Sequence, residues 1–187
     1  MIEVEIMCGR YFFQMEQDQA AFQHLWDHWN TNELDTFQEG EVFPTQQALV
    51  LLPSIPHDYS LTVMKWGIHG YQNRLIINAR SEGIQEKYTF RPYIHNRCVI
   101  VANGFYEWQR NGHAKTKYYI QFDQEPLMYM AGIYNSEQAF VIITKEAQNE
   151  MARIHHRMPI LMNKSQMLAY LHQKPFQEKK EIIIQAV

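Results

Sequence analysis

The sequence has little of what secreted and membrane-spanning proteins need. Its two cysteines, Cys8 and Cys98, are too few for a disulfide framework and do not form a closely spaced metal or redox pair. No apolar run approaches the roughly 18 residues of a membrane-spanning helix. The N-terminus, from Met1 to Glu5, lacks the basic and apolar regions of a secretory signal. We therefore expect a cytoplasmic protein with no membrane partner.

Metal-binding patterns are also scarce, although the chain has nine histidines. His24 and His28 are four residues apart, a spacing that can place two imidazoles on one face of a helix. No glutamate follows His24 as in a metalloprotease motif, and no cysteine pair supports a structural zinc. The sequence therefore predicts no metal site and no cofactor.

Basic side chains are nearly missing from the first third of the chain, whereas the middle third is rich in them. Residues 1–64 carry one basic residue, Arg10, and ten acidic ones, while residues 65–117 carry nine basic and three acidic residues. The formal net charge of −3 hides this gradient. The basic middle could gather on one face and follow nucleic-acid phosphates, or be solvated around a barrel rim. Charge alone leaves both interpretations open.

Hydrophobic patterning predicts one α+β domain over residues 1–187. Apolar residues recur with helical spacing over 15–30, and shorter helices are predicted near 145–153 and 164–172, the last capped by Asn163 or Ser165. Apolar and β-branched runs between turn residues predict strands over 47–52, 61–66, 74–79, 97–107, 117–122, 127–134 and 139–144. Without regular βαβ alternation, these strands predict a mostly antiparallel, curled, barrel-like core with a few peripheral helices.

A two-residue turn is indicated within the basic middle of the chain. Asn111 and Gly112 separate Trp108 from the apolar run that begins at Lys117. Both turn positions tolerate positive φ, which suits the tight turn of a β-hairpin. We therefore expect a hairpin with its turn at these two residues.

Two segments carry reactive side chains that could form an active site. Cys8 is followed by a glycine that would let a ligand approach the backbone, and a thiol is a strong nucleophile. Glu107 lies between aromatic residues, and apolar surroundings raise a carboxyl pKa towards the range useful for proton transfer. A half-buried cysteine and a solvent-facing strand glutamate are the structural alternatives.

Three further segments could bind a polar ligand. Asn78 and Arg80 follow an apolar run, where they could position a ligand or cap the next element. The loop from His155 to Pro159 holds two histidines and Arg157, which could equally be ordinary surface residues. Trp66, between a lysine and a glycine, could stack on a base or pack inside the barrel.

Taken together, these segments resemble the SOS response-associated peptidase (SRAP) family, whose members cross-link to abasic sites in single-stranded DNA. The resemblance extends from residue 7 to about residue 162 and rests on Met7–Tyr11, Pro44–Gln46, Lys65–Gly67, Asn78–Glu82, Arg97–Cys98, Asn103–Trp108, Ala131–Tyr134, Thr144–Ala147 and Ile154–Pro159. It implies a β-barrel-like core with a positively charged cleft.

The resemblance also implies a role for eight residues. Cys8 matches the catalytic cysteine, and the other three catalytic positions match Asn78, which holds the opened sugar, Glu107 and His155. Contacts with DNA are implied for Arg10, Trp66, Arg80 and Arg157. The implied partner is single-stranded DNA with an abasic site, bound by a monomer that is cytoplasmic and associates with the nucleoid when on DNA.

The family's cysteine directly follows the initiator methionine, whereas seven residues precede Cys8 here. An N-terminal cysteine offers an amine and a thiol to the ring-opened aldehyde, and their joint addition closes a five-membered thiazolidine. We therefore expect residues 1–7 to be absent or removed in the working protein. Translation from Met7 is favoured over self-cleavage before Cys8.

Two other functions fit the same residues. Cys8 could attack a peptide or amide carbonyl with His155 as base, which would need the thiol but no free amine. Alternatively, the basic middle of the chain and Trp66 could bind single-stranded DNA without covalent chemistry.

Overall fold

The computed structural model describes residues 8–15, 22–23, 25, 37–55, 58–112, 114–177 and 181–187. This part of the chain forms fifteen strands and one α-helix, Lys164–Leu171. The strands are β1 Tyr11–Phe13, β2 Gly40–Val42, β3 Gln47–Pro53, β4 Tyr59–Trp66, β5 Ile68–His69, β6 Leu75–Ile76, β7 Asn78–Arg80, β8 Arg97–Ala102, β9 Gly104–Asn111, β10 Ala114–Phe122, β11 Met128–Tyr134, β12 Ala139–Glu146, β13 Arg157–Pro159, β14 Leu161–Met162 and β15 Ile182–Ala186.

The larger sheet closes on itself to form a barrel. Its strands run in the order β12, β4, β3, β8 and β11, and β11 pairs back with β12. These pairings are antiparallel except that of β12 with β4, and β7 adds a second parallel pairing to β12. The prediction of a curled, mostly antiparallel, barrel-like core is confirmed.

Three of the barrel strands, β8, β11 and β12, are buried over almost their whole length. Residues 98–102 of β8 and residues 128–133 of β11 are buried without interruption. Such continuous burial explains why these segments are apolar runs and do not alternate between apolar and polar residues. One face of these strands fills the barrel, while the other is covered by elements such as the helix Lys164–Leu171.

A second sheet lies beside the barrel and is fully antiparallel, with the order β15, β10, β9, β1 and β2. Its strands do alternate: Phe105 and Glu107 are buried, whereas Tyr106 and Trp108 are half-buried on the opposite face. This five-stranded sheet therefore has an inner face towards the core and an outer face that solvent reaches. The predicted hairpin joins β9 to β10, but Asn111 still belongs to β9 and pairs with Ala114, so the turn begins at Gly112, which has φ +61°.

The predicted strand 97–107 is two strands that belong to different sheets. The break falls at Asn103, whose side-chain oxygen accepts from the Gln14 N–H at 2.7 Å and whose amide donates to the Pro126 carbonyl at 3.1 Å. The next residue, Gly104, lies so close to Tyr119 that a Cβ would be 2.5 Å from its ring. An apolar pattern carries no record of such a sheet change, because both strands are buried.

Of the three predicted helices, one is confirmed. Asn163 caps the helix Lys164–Leu171 and forms a capping box with Gln166. Over 145–153 the structure instead continues β12 to Glu146 and then forms a 3-10 turn over Asn149–Arg153.

The first predicted helix, 15–30, lies mostly outside the described residues, as do His24 and His28. Its described members Phe22 and Leu25 are fully buried. No helix among the described residues is both long enough and apolar enough to cross a membrane.

Candidate active site

Cys8 and Glu107 meet because β1 pairs with β9 on the inner face of the five-stranded sheet. The Tyr106 N–H donates to the Arg10 carbonyl at 2.9 Å, which extends the β1–β9 ladder towards Cys8. The main-chain N–H of Cys8 then donates to Oε2 of Glu107 at 2.8 Å. Cys8 is 1% exposed, Glu107 is 3% exposed, and Cys8 has φ +36°. A buried carboxylate therefore faces the backbone nitrogen of the cysteine.

His155 lies on the other side of the same carboxylate. Its Nε2 is 4.0 Å from Oε1 of Glu107, and both side chains are almost fully buried. The Arg157 N–H donates to Nδ1 of His155 at 3.1 Å, and His156 stacks on the His155 ring. Because Nδ1 accepts a hydrogen bond, a neutral ring carries its proton on Nε2, facing Glu107. Three groups able to move protons thus meet at one point.

The thiol of Cys8 lies in surroundings that oppose its ionisation. Burial raises its pKa well above the usual value, and the negative charge of Glu107 raises the pKa further. Burial also raises the pKa of Tyr11, with a smaller contribution from Cys8. The site therefore holds a neutral thiol beside a carboxylate, unlike sites in which a neighbouring cation favours the thiolate.

Arg157 is 8% exposed, and its side chain links β13 to β12 and to Glu82. Its guanidinium donates to both oxygens of Glu82 at 2.8 and 2.7 Å and to the Thr144 carbonyl at 2.7 Å. These hydrogen bonds are the main reason that the pKa of Glu82 is lowered to about 2. The Arg157 guanidinium therefore binds Glu82 and Thr144 in this structure. A contact between Arg157 and DNA phosphate stays a prediction.

Asn78 and Arg80 reach the region on β7, the short strand parallel to β12. Asn78 is in register with Ile142 and Arg80 with Thr144, so β7 ends where Arg157 crosses β12. Asn78 is half-buried, whereas Arg80 is exposed. Within the described residues, Arg80 makes no ion pair, so its guanidinium is available to an incoming anion.

Trp66 is fully buried, so the structure supports packing within the barrel over base stacking. Its indole N–H donates to the Ile77 carbonyl at 3.0 Å, and its ring stacks on Phe140 with centroids 6.4 Å apart. Tyr11 packs against the other part of the ring at 5.3 Å. Trp66 thereby connects the strand after Cys8 to the residue before Asn78, and no surface of its ring is left for a base.

Arg10 lies on the outer face of the five-stranded sheet with residues that the sequence does not single out. Its Nη1 is 2.8 Å from Oε2 of Glu41, whose Oε1 is 3.0 Å from Nζ of Lys117. The Arg10 guanidinium also lies over the rings of Phe43 and Trp108. Glu41 and Lys117 are 76 residues apart, so only the pairing of strands could reveal their contact.

No three metal-ligating side chains come together in the part of the chain that the structure describes. The site nevertheless contains a sulfur nucleophile in Cys8, and Glu107 and His155 are side chains able to exchange protons.

Comparison with known proteins assigns the family. The family model "SOS response associated peptidase (SRAP)" matches residues 7–186. The chain is 31% identical to the abasic site processing protein YoaM of Bacillus subtilis, over 93% of this chain and 80% of that protein. It is 26% identical to the abasic site processing protein HMCES of Xenopus tropicalis, over 74% of this chain and 55% of that protein.

Solved structures share the fold. A Bacteroides thetaiotaomicron protein aligns with a TM-score of 0.75 and 20% identity, over 96% of this chain and 92% of that chain. A Bordetella bronchiseptica protein aligns with the same TM-score and 15% identity, over 96% and 99%. The chain belongs to the SOS response-associated peptidase family, and the sequence-based resemblance is confirmed. This membership supports a role in processing abasic sites in DNA.

Proposed function

We propose that this protein traps ring-opened abasic sites in single-stranded DNA as a covalent thiazolidine at Cys8. The observation that carries the proposal is the 2.8 Å hydrogen bond from the Cys8 backbone nitrogen to Glu107. In a chain that begins at Cys8, this nitrogen is an α-amine, and its sulfur lies on the same residue. We propose that residues 1–7 are absent from the working protein, either through initiation at Met7 or through cleavage before Cys8.

The chemistry balances without an external reagent. The amine nitrogen attacks the aldehyde carbon C1′ of the open sugar, and loss of one water leaves a C=N bond. The Cys8 sulfur then adds to this carbon, and the thiol proton goes to the nitrogen, which closes the ring. The Cys8 sulfur and the C=N nitrogen belong to one residue, so the sulfur is held close to C1′ at a high effective concentration. The thiol can therefore pass its proton to that nitrogen as the sulfur adds.

Glu107 and His155 have complementary roles in this scheme. Glu107 accepts the proton that the amine loses as it adds to the aldehyde. His155 donates from Nε2 to the sugar oxygen as the ring opens, and the Arg157 N–H holds the ring in the required tautomer. Asn78, the first residue of β7, holds a hydroxyl of the opened sugar.

Phosphate contacts belong to arginines around this cleft. Arg80 is exposed at the end of β7, and Arg10 lies two residues after Cys8. Guanidinium groups bind phosphate oxygens through paired hydrogen bonds. Single-stranded DNA is the favoured form because its abasic sugar can enter a closed site without unpairing a duplex. The protein acts as a monomer in the cytoplasm, where DNA recruits it to the nucleoid.

The alternative of a thiol peptidase is less well supported. Such an enzyme needs a thiolate, which a nearby cation or histidinium stabilises. Burial and the charge of Glu107 both raise the pKa of Cys8 instead.

The test combines single-stranded DNA carrying one abasic site with protein whose intact mass shows Cys8 as the first residue. A denaturing gel should show a covalent species, which Cys8→Ala abolishes and the matched control Cys98→Ala retains, since Cys98 is buried in the barrel. Cys8→Ser and Cys8→Ala both keep the amine and should give only an adduct that borohydride must trap. A stable adduct formed by Cys8→Ala without borohydride, or none by the authentic chain, would refute the proposal.

Chains that retain residues 1–7 provide a separate arm. They present an amide in place of the amine and should form no thiazolidine. If such chains shorten to Cys8 on their own, mass spectrometry will show cleavage before adduct formation. An adduct formed by a chain that still begins at Met1 would rule out the amine mechanism.

A further inference from the structure

A carboxylate bridges two cations on the outer face of the five-stranded sheet. Glu41, on β2, contacts Arg10 at 2.8 Å with one oxygen and Lys117 at 3.0 Å with the other. The three side chains retain between 26% and 34% of their exposure, so solvent and solutes reach them. The Lys117 hydrogen bond is the largest reason that the pKa of Glu41 is lowered. At neutral pH the cluster therefore contains one anion between two cations.

Aromatic rings contact both cations, and one of these residues, Tyr106, also forms a side-chain hydrogen bond with Glu41. The Arg10 guanidinium lies 4.3 Å from the Phe43 ring centroid and 5.1 Å from that of Trp108. Nζ of Lys117 lies 3.9 Å from the ring centroid of Tyr106. Cation–π contacts of this kind orient a cation and leave its other hydrogen-bond donors free for an anion. The contacts of Arg10 with Phe43 and Trp108 do not involve Glu41, so these rings would keep Arg10 in position if Glu41 moved away.

We propose that Glu41 occupies a phosphate-binding position formed by Arg10 and Lys117, and that a phosphodiester of single-stranded DNA displaces it. The proposal makes Lys117 a DNA contact and Glu41 a built-in competitor that weakens binding. It rests on the proposed function in one respect, namely that single-stranded DNA binds beside Cys8.

The charges favour exchange over permanent pairing. A carboxylate and a phosphodiester each carry one negative charge and accept from guanidinium and ammonium groups in the same way. Ion pairs that solvent reaches are weak, so displacement of Glu41 costs little. Lys115, 4.9 Å from the Trp108 ring, adds a positive charge to the same face. A polyanion is attracted by all three cations, whereas Glu41 pairs only with Arg10 and Lys117.

The test compares Glu41→Gln with the parent chain in binding to single-stranded DNA without an abasic site. Glutamine keeps the shape and an acceptor oxygen but removes the competing charge. We expect affinity to rise about fivefold at low salt, with a steeper loss of affinity as salt increases. Glu137→Gln, an exposed substitution with the same change in charge, is the matched control and should have a clearly smaller effect. An unchanged or weakened affinity for Glu41→Gln would overturn the proposal.

Lys117→Met supplies a second, independent measurement. In the parent chain, removal of Lys117 loses a DNA contact but also the ion pair with Glu41 that binding must break, so DNA affinity should change less than twofold. In the Glu41→Gln chain its removal should abolish most of the gain, a coupling that a double-mutant cycle measures. Equal effects in both chains would refute displacement. Failure of the parent chain to cross-link abasic DNA would count against the proposed chemistry alone, because these affinities are measured without a lesion.

Discussion

The larger sheet and the five-stranded sheet each contain a tryptophan and an arginine, but these residues differ in burial and in partners. In the barrel, Trp66 is fully buried and Arg157 donates to Glu82 and a backbone carbonyl. In the five-stranded sheet, Trp108 and Arg10 are half-buried and lie on the outer face, where solvent reaches them. Both sheets therefore contain a tryptophan and an arginine near the site, but with different partners.

This difference separates the residues that hold the site from those that can exchange partners. The barrel residues are enclosed on every side, so they position His155 and Asn78 and stabilise the fold. The outer residues have partners that a solute can replace. Substitutions in the barrel should thus lower stability, and those on the outer face should mainly change DNA binding.

The largest effect is expected for Trp66→Ala. Removing this fully buried indole leaves a cavity and takes one of two donors from the Ile77 carbonyl, which still accepts from the Ile142 N–H at 3.1 Å. The cavity should lower the free energy of unfolding by about 4 kcal/mol. Urea denaturation measures the change. A loss below about 1 kcal/mol would mean that the ring is not a core element and would revive its interpretation as a base contact.

The second largest effect is expected for Arg157→Ala, which should lower the free energy of unfolding by about 2 kcal/mol. This is less than for a fully buried ion pair, because Glu82 retains 56% of its exposure and can turn to water. Alanine keeps the main-chain N–H that donates to His155, so cross-linking should slow only as far as the backbone of β13 shifts once the guanidinium contacts with Glu82 and Thr144 are lost. Unfolding curves and gel-based rates on the same samples distinguish the two effects. Unchanged stability with impaired DNA binding would instead identify Arg157 as a phosphate contact.

Glu82→Gln should have a smaller effect that depends on pH. The native-state pKa of Glu82 lies near 2, below the ordinary value of 4.5, so its ionised form stabilises the fold above about pH 4.5. This contribution is lost as pH falls towards 2. At pH 7 the variant should be about 1 kcal/mol less stable than the parent, allowing for the exposure of Glu82. Thermal unfolding between pH 2 and 7 should show the two proteins converging in acid, and a constant difference would contradict the assignment.

The smallest change in stability is expected for Trp108→Ala, below about 1 kcal/mol. Binding to single-stranded DNA should nonetheless weaken about fivefold, because Arg10 and Lys115 lose the ring that orients them. Thermal unfolding and fluorescence anisotropy report the two quantities. If stability falls as far as in Trp66→Ala, the contrast between the sheets is wrong.

Local patterns predicted the elements whose signals lie within a few residues. The apolar runs identified the barrel strands, the Asn111-Gly112 turn identified a hairpin, and Asn163 marked a helix start. The three-residue strands β1, β2 and β13 escaped prediction, because segments so short form only through pairing with distant partners. The proposed helix over 145–153 failed in the same way, since pairing with β13 extends β12 to Glu146.

For the candidate site, the sequence by itself determined the types of reactive group: a cysteine, a carboxylate, an amide and a histidine in segments that define the family. Only the tertiary structure decided which of these groups are in contact and which are buried. It brought the Cys8 nitrogen to Glu107 across 99 residues, buried Trp66 and paired Arg157 with Glu82. The physical reason is that burial and ion pairing depend on how strands distant in sequence are arranged, and no local pattern records that arrangement.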